Sequence, residues 1–438
     1  MKVLKFGGSS IGTPARMRQV ANLVKDQQDV IVVLSAVEGT TDRLLEIADL
    51  LHRQKQAEAA REIDALQATH VRYADSLFAS AAGREQGLAL IDSHFEHIRS
   101  FARDMFTAFE QRTIAAQGEL LSTGLFHFYL SELGVPSILL PALTFMRLDE
   151  AGEPDLEYIE TNLAAQLKRC EPGQLFITQG YICRNAFGEI DNLQRGGSDY
   201  SASLIAAATR SDEIQIWSDI DGMHNNDPRY VDHTTSIREL SFDEAAELAY
   251  FGAKILHPAS IVPARRFNIP VRLLNTMKPE APGTLISARP TEGQIRAVAA
   301  KDGITAIKVK SSRMLMAYGF LRRIFEVFER YKTPIDLITT SEVAVSLTID
   351  DPTHLDAIVE ELSEFGSVEV DREQTIICVV GNLVAESKGV ALRVLQALKD
   401  VPLRMISYGG SRHNISLLIK SDLKVQALNA LHKGLFDV

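Results

Sequence analysis

With 438 residues, 46% of them hydrophobic and 24% charged, the chain is too long for one ordinary domain and too apolar for a disordered or fibrous one. Lys and Arg number 46 against 57 Asp and Glu, a net charge of −11, so the surface lacks the broad basic patch that nucleic-acid binding needs. The opening MKVLKFGGSS holds no apolar run of signal-peptide length, and the longest such run, residues 30–37, is too short to cross a bilayer. The expected compartment is therefore the cytoplasm, with no membrane partner. Cys170, Cys183 and Cys378 show no CxxC spacing and read as reduced thiols.

The first strand, residues 1–6, runs into Gly7-Gly8-Ser9-Ser10. Thr13 as N-cap and Pro14 at the first helical position then start a helix carried by Met17, Val20, Leu23 and Val24. A strand at residues 30–34 passes through Ser35 and Thr41 into a second amphipathic helix, the beginning of a helix-covered parallel sheet. Residues 50–112, rich in Ala, Glu, Gln and Arg, predict a helical hairpin inserted on the sheet and broken near Gly83. Strands return at 135–140, 174–178 and 213–218, with helices at 159–169 and 201–209. Pro279, Pro282 and Pro290, interleaved with Gly283 and Gly293, mark the main boundary, so a catalytic domain over 1–290 and a tail over 295–438 are expected.

In the tail, a strand at 304–309, a helix at 314–331, strands at 335–339 and 343–349, a helix at 354–365 and a strand at 367–370 spell βαββαβ over residues 304–371. A second set over 375–438 has a strand at 375–380, a helix at 386–398, strands at 403–407 and 414–419 and a helix at 423–432, but no last strand. Residues 295–300 are a suitable donor. The two units are therefore expected to interleave, the first nested inside the second.

Ligands of open α/β sheets bind where loops leave the carboxyl ends of strands. At Lys5-Phe6-Gly7-Gly8 two glycines let backbone N–H groups approach a phosphate and Lys5 adds a positive charge, although such a turn is as readily structural. At Arg195-Gly196-Gly197-Ser198-Asp199 a helix N-terminus attracts an anion and Arg195 can grip a carboxylate; a plain cap by Ser198 or Asp199 is the alternative. Residues 217–229 carry Asp219, Asp221, Asp227 and Arg229, which suit either a nucleotide with its metal or a solvated turn. Lys254, after Gly252, could reach a phosphate, and Glu119 is either an ammonium partner or an ordinary helix carboxylate. His94 and His97 have no third ligand in view and read as a solvated helix face. No GxxxxGK[ST] or GxGxxG motif occurs, which removes the P-loop and dinucleotide readings.

In order, KFGGSS (5–10), SAVEGTT (35–41), GELLS (118–122), RGGSDYSA (195–202), WSDIDGMHNNDPR (217–229), FGAKILHP (251–258), GFLRRIFEVF (319–328) and IDLITTSEV (335–343) span essentially the whole chain. Together they resemble the aspartate kinases of the amino acid kinase family. The resemblance implies an α/β amino acid kinase fold, a parallel-rich sheet sandwiched by helices, followed by two ferredoxin-like ACT domains. It implies transfer of the γ-phosphoryl of ATP, with magnesium, to the side-chain carboxylate of L-aspartate, giving 4-phospho-L-aspartate. Such a nucleophile, with a pKa of about 4, is already ionised and needs positioning rather than a general base.

By the same pattern Lys5 stabilises the phosphoryl group in transfer and Asp199 helps organise it. Arg195 holds the substrate α-carboxylate and Glu119 its ammonium, while Ser35, Thr41, Gly196, Gly197 and Ser198 belong to that pocket. Gly7, Gly8, Ser9, Ser218, Asp219, His224, Arg229 and Lys254 fall to the nucleotide, and no protein ligand is assigned to the metal. His224 stands where a tyrosine is common. The ACT pair implies a homodimer and an amino-acid effector, most naturally lysine, at Met314, Phe320, Leu321, Ile335, Asp336, Ser341 and Glu342, with Asp336 and Glu342 as ammonium partners. Ala317 stands where a serine is common in lysine-sensitive relatives. The rival readings are a kinase of another acid or a carbamate and a non-catalytic amino-acid sensor; the length leaves no room for a fused homoserine dehydrogenase.

Overall fold

The segment β1 (Lys2–Phe6) and the β-branched segment β2 (Val30–Leu34) pair in parallel, Lys2 opposite Val30 and Phe6 opposite Leu34. All five β2 residues are buried, as expected of a strand covered on both faces. The structure, a computed structural model, describes residues 1–103, 106–193, 196–252, 256–289, 295–311, 318–382 and 384–436. They divide into one unit of Met1–Met223 with Ile255–Ala288 and another of His224–Lys254 with Arg289–Val438.

In the first unit β3 (Ser137–Leu140), β4 (Leu175–Gln179), β7 (Glu213–Ser218), β9 (Val271–Asn275) and β10 (Thr284–Ser287) extend the sheet in the order β3-β4-β2-β1-β7-β9-β10. A small hairpin, β5 (Ile182–Arg184) with β6 (Ile190–Asn192), stands apart from it. Strand β10 runs antiparallel to its neighbour β9. Because β2 and β7 flank β1 on opposite sides, the strand order reverses at β1, which is where an open α/β sheet forms its ligand crevice.

Helix α1 (Pro14–Val24) begins as its sequence predicts, Thr13 Oγ1 accepting from Arg16 N at 3.3 Å. Around the sheet lie α2 (Thr40–His52), α3 (Gln56–Leu77), α4 (Ala81–Ser100), α5 (Ala108–Glu132), α6 (Leu156–Leu167), α7 (Gly197–Thr209) and α9 (Pro258–Arg266). Leu4, Phe6, Val32 and Leu34 face a core shared with α1 to α5. Alternation along the strand sends Val3 and Lys5 to the opposite face, and α7 packs on β1. The α3–α4 hairpin breaks at residues 78–80 rather than near Gly83. The reason is a serine cap: Ser80 Oγ accepts from Gly83 N at 3.0 Å, leaving the glycine inside the first turn of α4.

The second unit contains β8 (Glu239–Ser241) and α8 (Phe242–Tyr250), then one sheet formed by β11 (Ile295–Lys310), β12 (Ile338–Thr340), β13 (Ala344–Ile349), β14 (Ser367–Gly381), β15 (Met405–Tyr408) and β16 (Asn414–Lys420). Its order is β12-β13-β11-β14-β16-β15. The sequence suggests separate strands at 295–300 and 304–309, and at 367–370 and 375–380. Instead each pair is one long strand, because register shifts between Lys301 and Ala306 absorb Asp302-Gly303 without a turn. Ala300 pairs with Ile377 and Lys310 with Ser367, so β11 and β14 each serve both βαββαβ sets.

On one half α10 (Phe320–Arg330) and α11 (Leu355–Ser363) close a core around Ile307, Ile324 and Leu347. On the other, α12 (Val390–Ala397) and α13 (Lys424–Leu435) close one around Val379, Leu417 and Leu431. Residues 224–254, which the sequence assigns to the catalytic part, group with this unit. Asn226 Nδ2 donates to Leu428 O at 3.1 Å, and Ser411 and Asn414 both donate to Glu247 on α8.

Leu417 is fully buried in the second of these cores. Leu417→Ala should cost about 2–5 kcal/mol in urea denaturation; a loss below about 1 kcal/mol would contradict this packing.

Candidate functional site

Lys5, on the α7 side of the central strand, meets Asp199 in the first turn of α7, with Nζ 2.6 Å from Oδ1 and both side chains largely buried. Asp199 therefore does not cap the helix, and no side chain among the described residues does. The N-cap is Gly196, with φ 75°, a left-handed geometry that glycine adopts without strain. The end of β4 comes equally close: a Cβ on Gly180 would lie 2.4 Å from Ser198 Cβ. Ser35, just past β2, donates its hydroxyl to Ser198 Oγ at 2.9 Å, and Ser122 Oγ fixes the Ser35 carbonyl at 2.7 Å.

These contacts wall a cavity of about 350 Å³, lined among others by Gly8, Ser35, Thr41, Glu119, Tyr181 and Ser198. Its size suits a small polar ligand. Helix α2 also starts here behind an N-cap glycine, Gly39, with no side-chain cap. Two helix N-termini thus bring uncapped backbone N–H groups to the cavity, a setting that favours anions.

Glu119, from the middle of α5, is the buried charge of the cavity. Its side chain is enclosed, Oε1 accepts from Ala36 N at 3.3 Å, and Oε2 has no hydrogen-bond partner among the described residues. Burial pushes its carboxyl up to about 8 against the pull of the Ala36 N–H. This is no ordinary solvated helix carboxylate. Tyr181 completes the wall from a left-handed backbone, φ 64°, held by its N–H to Ser201 Oγ at 2.8 Å. Sequence reasoning missed Tyr181, because no motif contains it and only the fold shows which way it turns.

Of the expected nucleotide residues, Gly7 donates its N–H to Trp217 O at 3.3 Å, which joins the glycine loop to the end of β7, and Ser9 O accepts from Arg16 at 2.8 Å. Ser218 and Asp219 follow β7; Ser218 Oγ accepts from Ile220 N at 3.2 Å and Asp219 O from Asn275 Nδ2 at 3.3 Å. In the second unit His224 Nδ1 lies 3.0 Å from Thr234 Oγ1, and Arg229 forks onto Asp227 at 2.9 and 2.6 Å. Arg195, Lys254, Met314 and Ala317 lie outside the described residues.

His94 does not sit on a solvated face: it is half-buried with Nδ1 2.6 Å from Gln117 Oε1, and burial lowers its pKa. Among the described residues no group of three or more His, Cys, Asp or Glu is placed to hold a metal, and no helix is long and apolar enough to cross a membrane. Of the expected effector residues, Phe320 is buried at the start of α10, Leu321 is exposed and Ile335 is half-buried. Ser341 and Glu342 are exposed in the turn between β12 and β13, while Asp336 is held by Lys301 at 2.7 Å and Tyr250 at 3.1 Å.

Residues 1–275 match the family described as the amino acid kinase family, and residues 377–435 match an ACT domain. The lysine-sensitive aspartokinase 3 of Escherichia coli (strain K12) is 34% identical over 455 residues, covering 99% of each chain. The crystal structure of E. coli aspartokinase III in complex with aspartate and ADP matches with a TM-score of 0.86 at 34% identity, covering 100% of both chains. The same enzyme in complex with lysine and aspartate matches at 0.82, also at 34% identity, over 100% of this chain and 99% of that one.

An acid whose folded pKa lies above its ordinary value keeps its proton longer in the native state than in the unfolded one. Glu119 therefore costs the ligand-free protein stability progressively as pH rises from 4.5 towards 8. Glu119→Gln removes that cost, so its stability relative to wild type should improve between about pH 5 and about pH 8.5 in urea denaturation. An advantage that does not grow with pH would contradict the buried, half-satisfied carboxyl.

Proposed function

The chain belongs to the amino acid kinase family and, within it, to the aspartokinases, and from that membership we propose that it transfers the γ-phosphoryl of ATP to the side-chain carboxylate of L-aspartate, giving 4-phospho-L-aspartate and ADP. One observation carries the substrate assignment: Glu119 is a buried carboxyl whose second oxygen has no partner among the described residues, in a cavity that two helix N-termini without a side-chain cap among those residues open into. A ligand with one ammonium and two carboxylates matches both features. Its ammonium supplies the countercharge that Glu119 lacks and draws it into the ionised form, and its carboxylates meet N–H groups.

The β-carboxylate oxygen attacks the γ-phosphorus and the bond to the β–γ bridging oxygen breaks. No proton moves, since the acceptor is already ionised. Lys5, oriented by Asp199, neutralises charge on the phosphoryl oxygens in flight. Ser35, Thr41, Gly196, Gly197 and Ser198 shape the aspartate pocket, and Arg195 takes the α-carboxylate. Gly7, Gly8, Ser9, Ser218, Asp219, His224, Arg229 and Lys254 are assigned to the nucleotide. Magnesium enters this reading as part of the nucleotide, where it would offset the charge of the ATP phosphates; no protein ligand is assigned to it.

The same reading gives the tail a regulatory role, with lysine as effector at Met314, Phe320, Leu321, Ile335, Asp336, Ser341 and Glu342. A homodimer through the ACT domains is supported by the exposed apolar residues Leu321 and Phe325 on α10 and Ile338 on the edge strand β12. The enzyme works in the cytoplasm, where its free cysteines suit reducing conditions.

The test is ATP-dependent acyl phosphate formation, trapped with hydroxylamine, for L-aspartate and L-glutamate. Aspartate should be preferred by about 10–200-fold, the discrimination that one methylene permits. Preference for glutamate would move the protein to another acid. No product with either, from folded protein that binds ATP, would favour the sensor reading.

A further inference from the structure

The acidic residue assigned to an effector ammonium already has an internal one. Lys301, beside the register shift in β11, places Nζ 2.7 Å from Asp336 Oδ1 and 2.8 Å from Asp350 Oδ2. Tyr250, the last residue of α8, donates its hydroxyl to the same Asp336 Oδ1 at 3.1 Å, and its ring lies 4.7 Å from the Lys301 ammonium. The Asp336 side chain is only 2% exposed, and its other oxygen, Oδ2, is buried with no hydrogen-bond partner among the described residues.

A carboxylate this enclosed loses its charge unless a cation stays beside it. Burial does push the Asp336 carboxyl up, and Lys301 pulls it back down. Among the described residues the cluster thus sets two carboxylates, Asp336 and the solvent-exposed Asp350, against one ammonium, and leaves one Asp336 oxygen without a partner.

We propose that Lys301 is a positioning residue for the effector site: it occupies Asp336 Oδ1 together with Tyr250 and leaves Oδ2 as a preformed acceptor for a single ligand ammonium. This rests on the regulatory reading above and goes further, since it sets the stoichiometry of charge at this end of the site and names a residue that no motif contains. Preformation lowers the ordering cost that a ligand would otherwise meet on binding. The Tyr250 hydroxyl carries the same carboxylate's position to α8, a helix within the span that matches the kinase family.

The experiment is calorimetric and thermal-shift titration of the full chain with L-lysine, comparing wild type, Lys301→Met and Lys301→Arg, with circular-dichroism melting of each free protein as the control for folding. Lys301→Met should need at least about tenfold more L-lysine for half-saturation, equivalent to about 1.4 kcal/mol. Lys301→Arg, which keeps a cation beside Asp336, should stay within about threefold of wild type. Wild-type affinity in Lys301→Met overturns the proposal, as does equal weakening in both variants, which marks a merely structural lysine. If L-lysine binds none of the three folded proteins, the lysine-effector reading itself fails and takes this inference with it.

Discussion

The ion pair between Lys5 and Asp199 fixes the charge geometry on which the proposed chemistry depends. It joins the central strand of the sheet to the first turn of α7 across 2.6 Å. A lysine there follows from alternation: Leu4 and Phe6 are committed to the core on the other face, so position 5 must point towards α7. Left alone it would be a partly buried cation, and Asp199 offsets it. A pair of this kind adds little net stability over an apolar pair, but it is costly to break on one side only. Its value lies in orientation, because Gly196 and Gly197 bring α7 in behind a backbone free of side chains and the ammonium is held beside the helix end where an anion would sit.

The second constraint is Glu119. A helix carboxylate with one oxygen satisfied by Ala36 and the other without a partner among the described residues is unfavourable in the free protein, and it persists where the missing partner comes with the ligand. The cavity thus joins one under-satisfied carboxyl, two helix N-termini and one oriented ammonium. That combination matches the proposed substrate, an amino acid with a second acidic group, better than a simple anion.

Much of this was legible in the sequence because the signals are local. Thr13-Pro14 begins a helix, the loop after β1 carries its own glycines, and the boundary prolines stand between the two textures. What failed was read from the wrong local signal or depended on distant partners. Gly83 looked like the break of the helical hairpin, but Ser80 and its cap decide it. Residues 302–303 looked like a strand end, yet pairing with β14 carries the strand through. Asp199 could have been a cap, and only its position opposite Lys5 shows that it is not. Tyr181 and Lys301 could not be found at all: the first owes its place to a left-handed turn, the second to a partner 35 residues away. In the tail the same long-range pairing makes β11 and β14 common to both sets. Helix α8 meets each half, through Tyr250 at Asp336 and through Glu247 at Ser411 and Asn414.

The most direct test of the account is a rapid-quench single turnover of ATP-loaded Lys5→Met protein mixed with L-aspartate, with ATP affinity measured on the same sample. Phosphoryl transfer should fall by about 10²–10³, the scale for removing one preorganised charge from a transition state, while ATP binds within about threefold of wild type. Transfer within about tenfold of wild type would contradict the central role given to Lys5 and its pairing with Asp199.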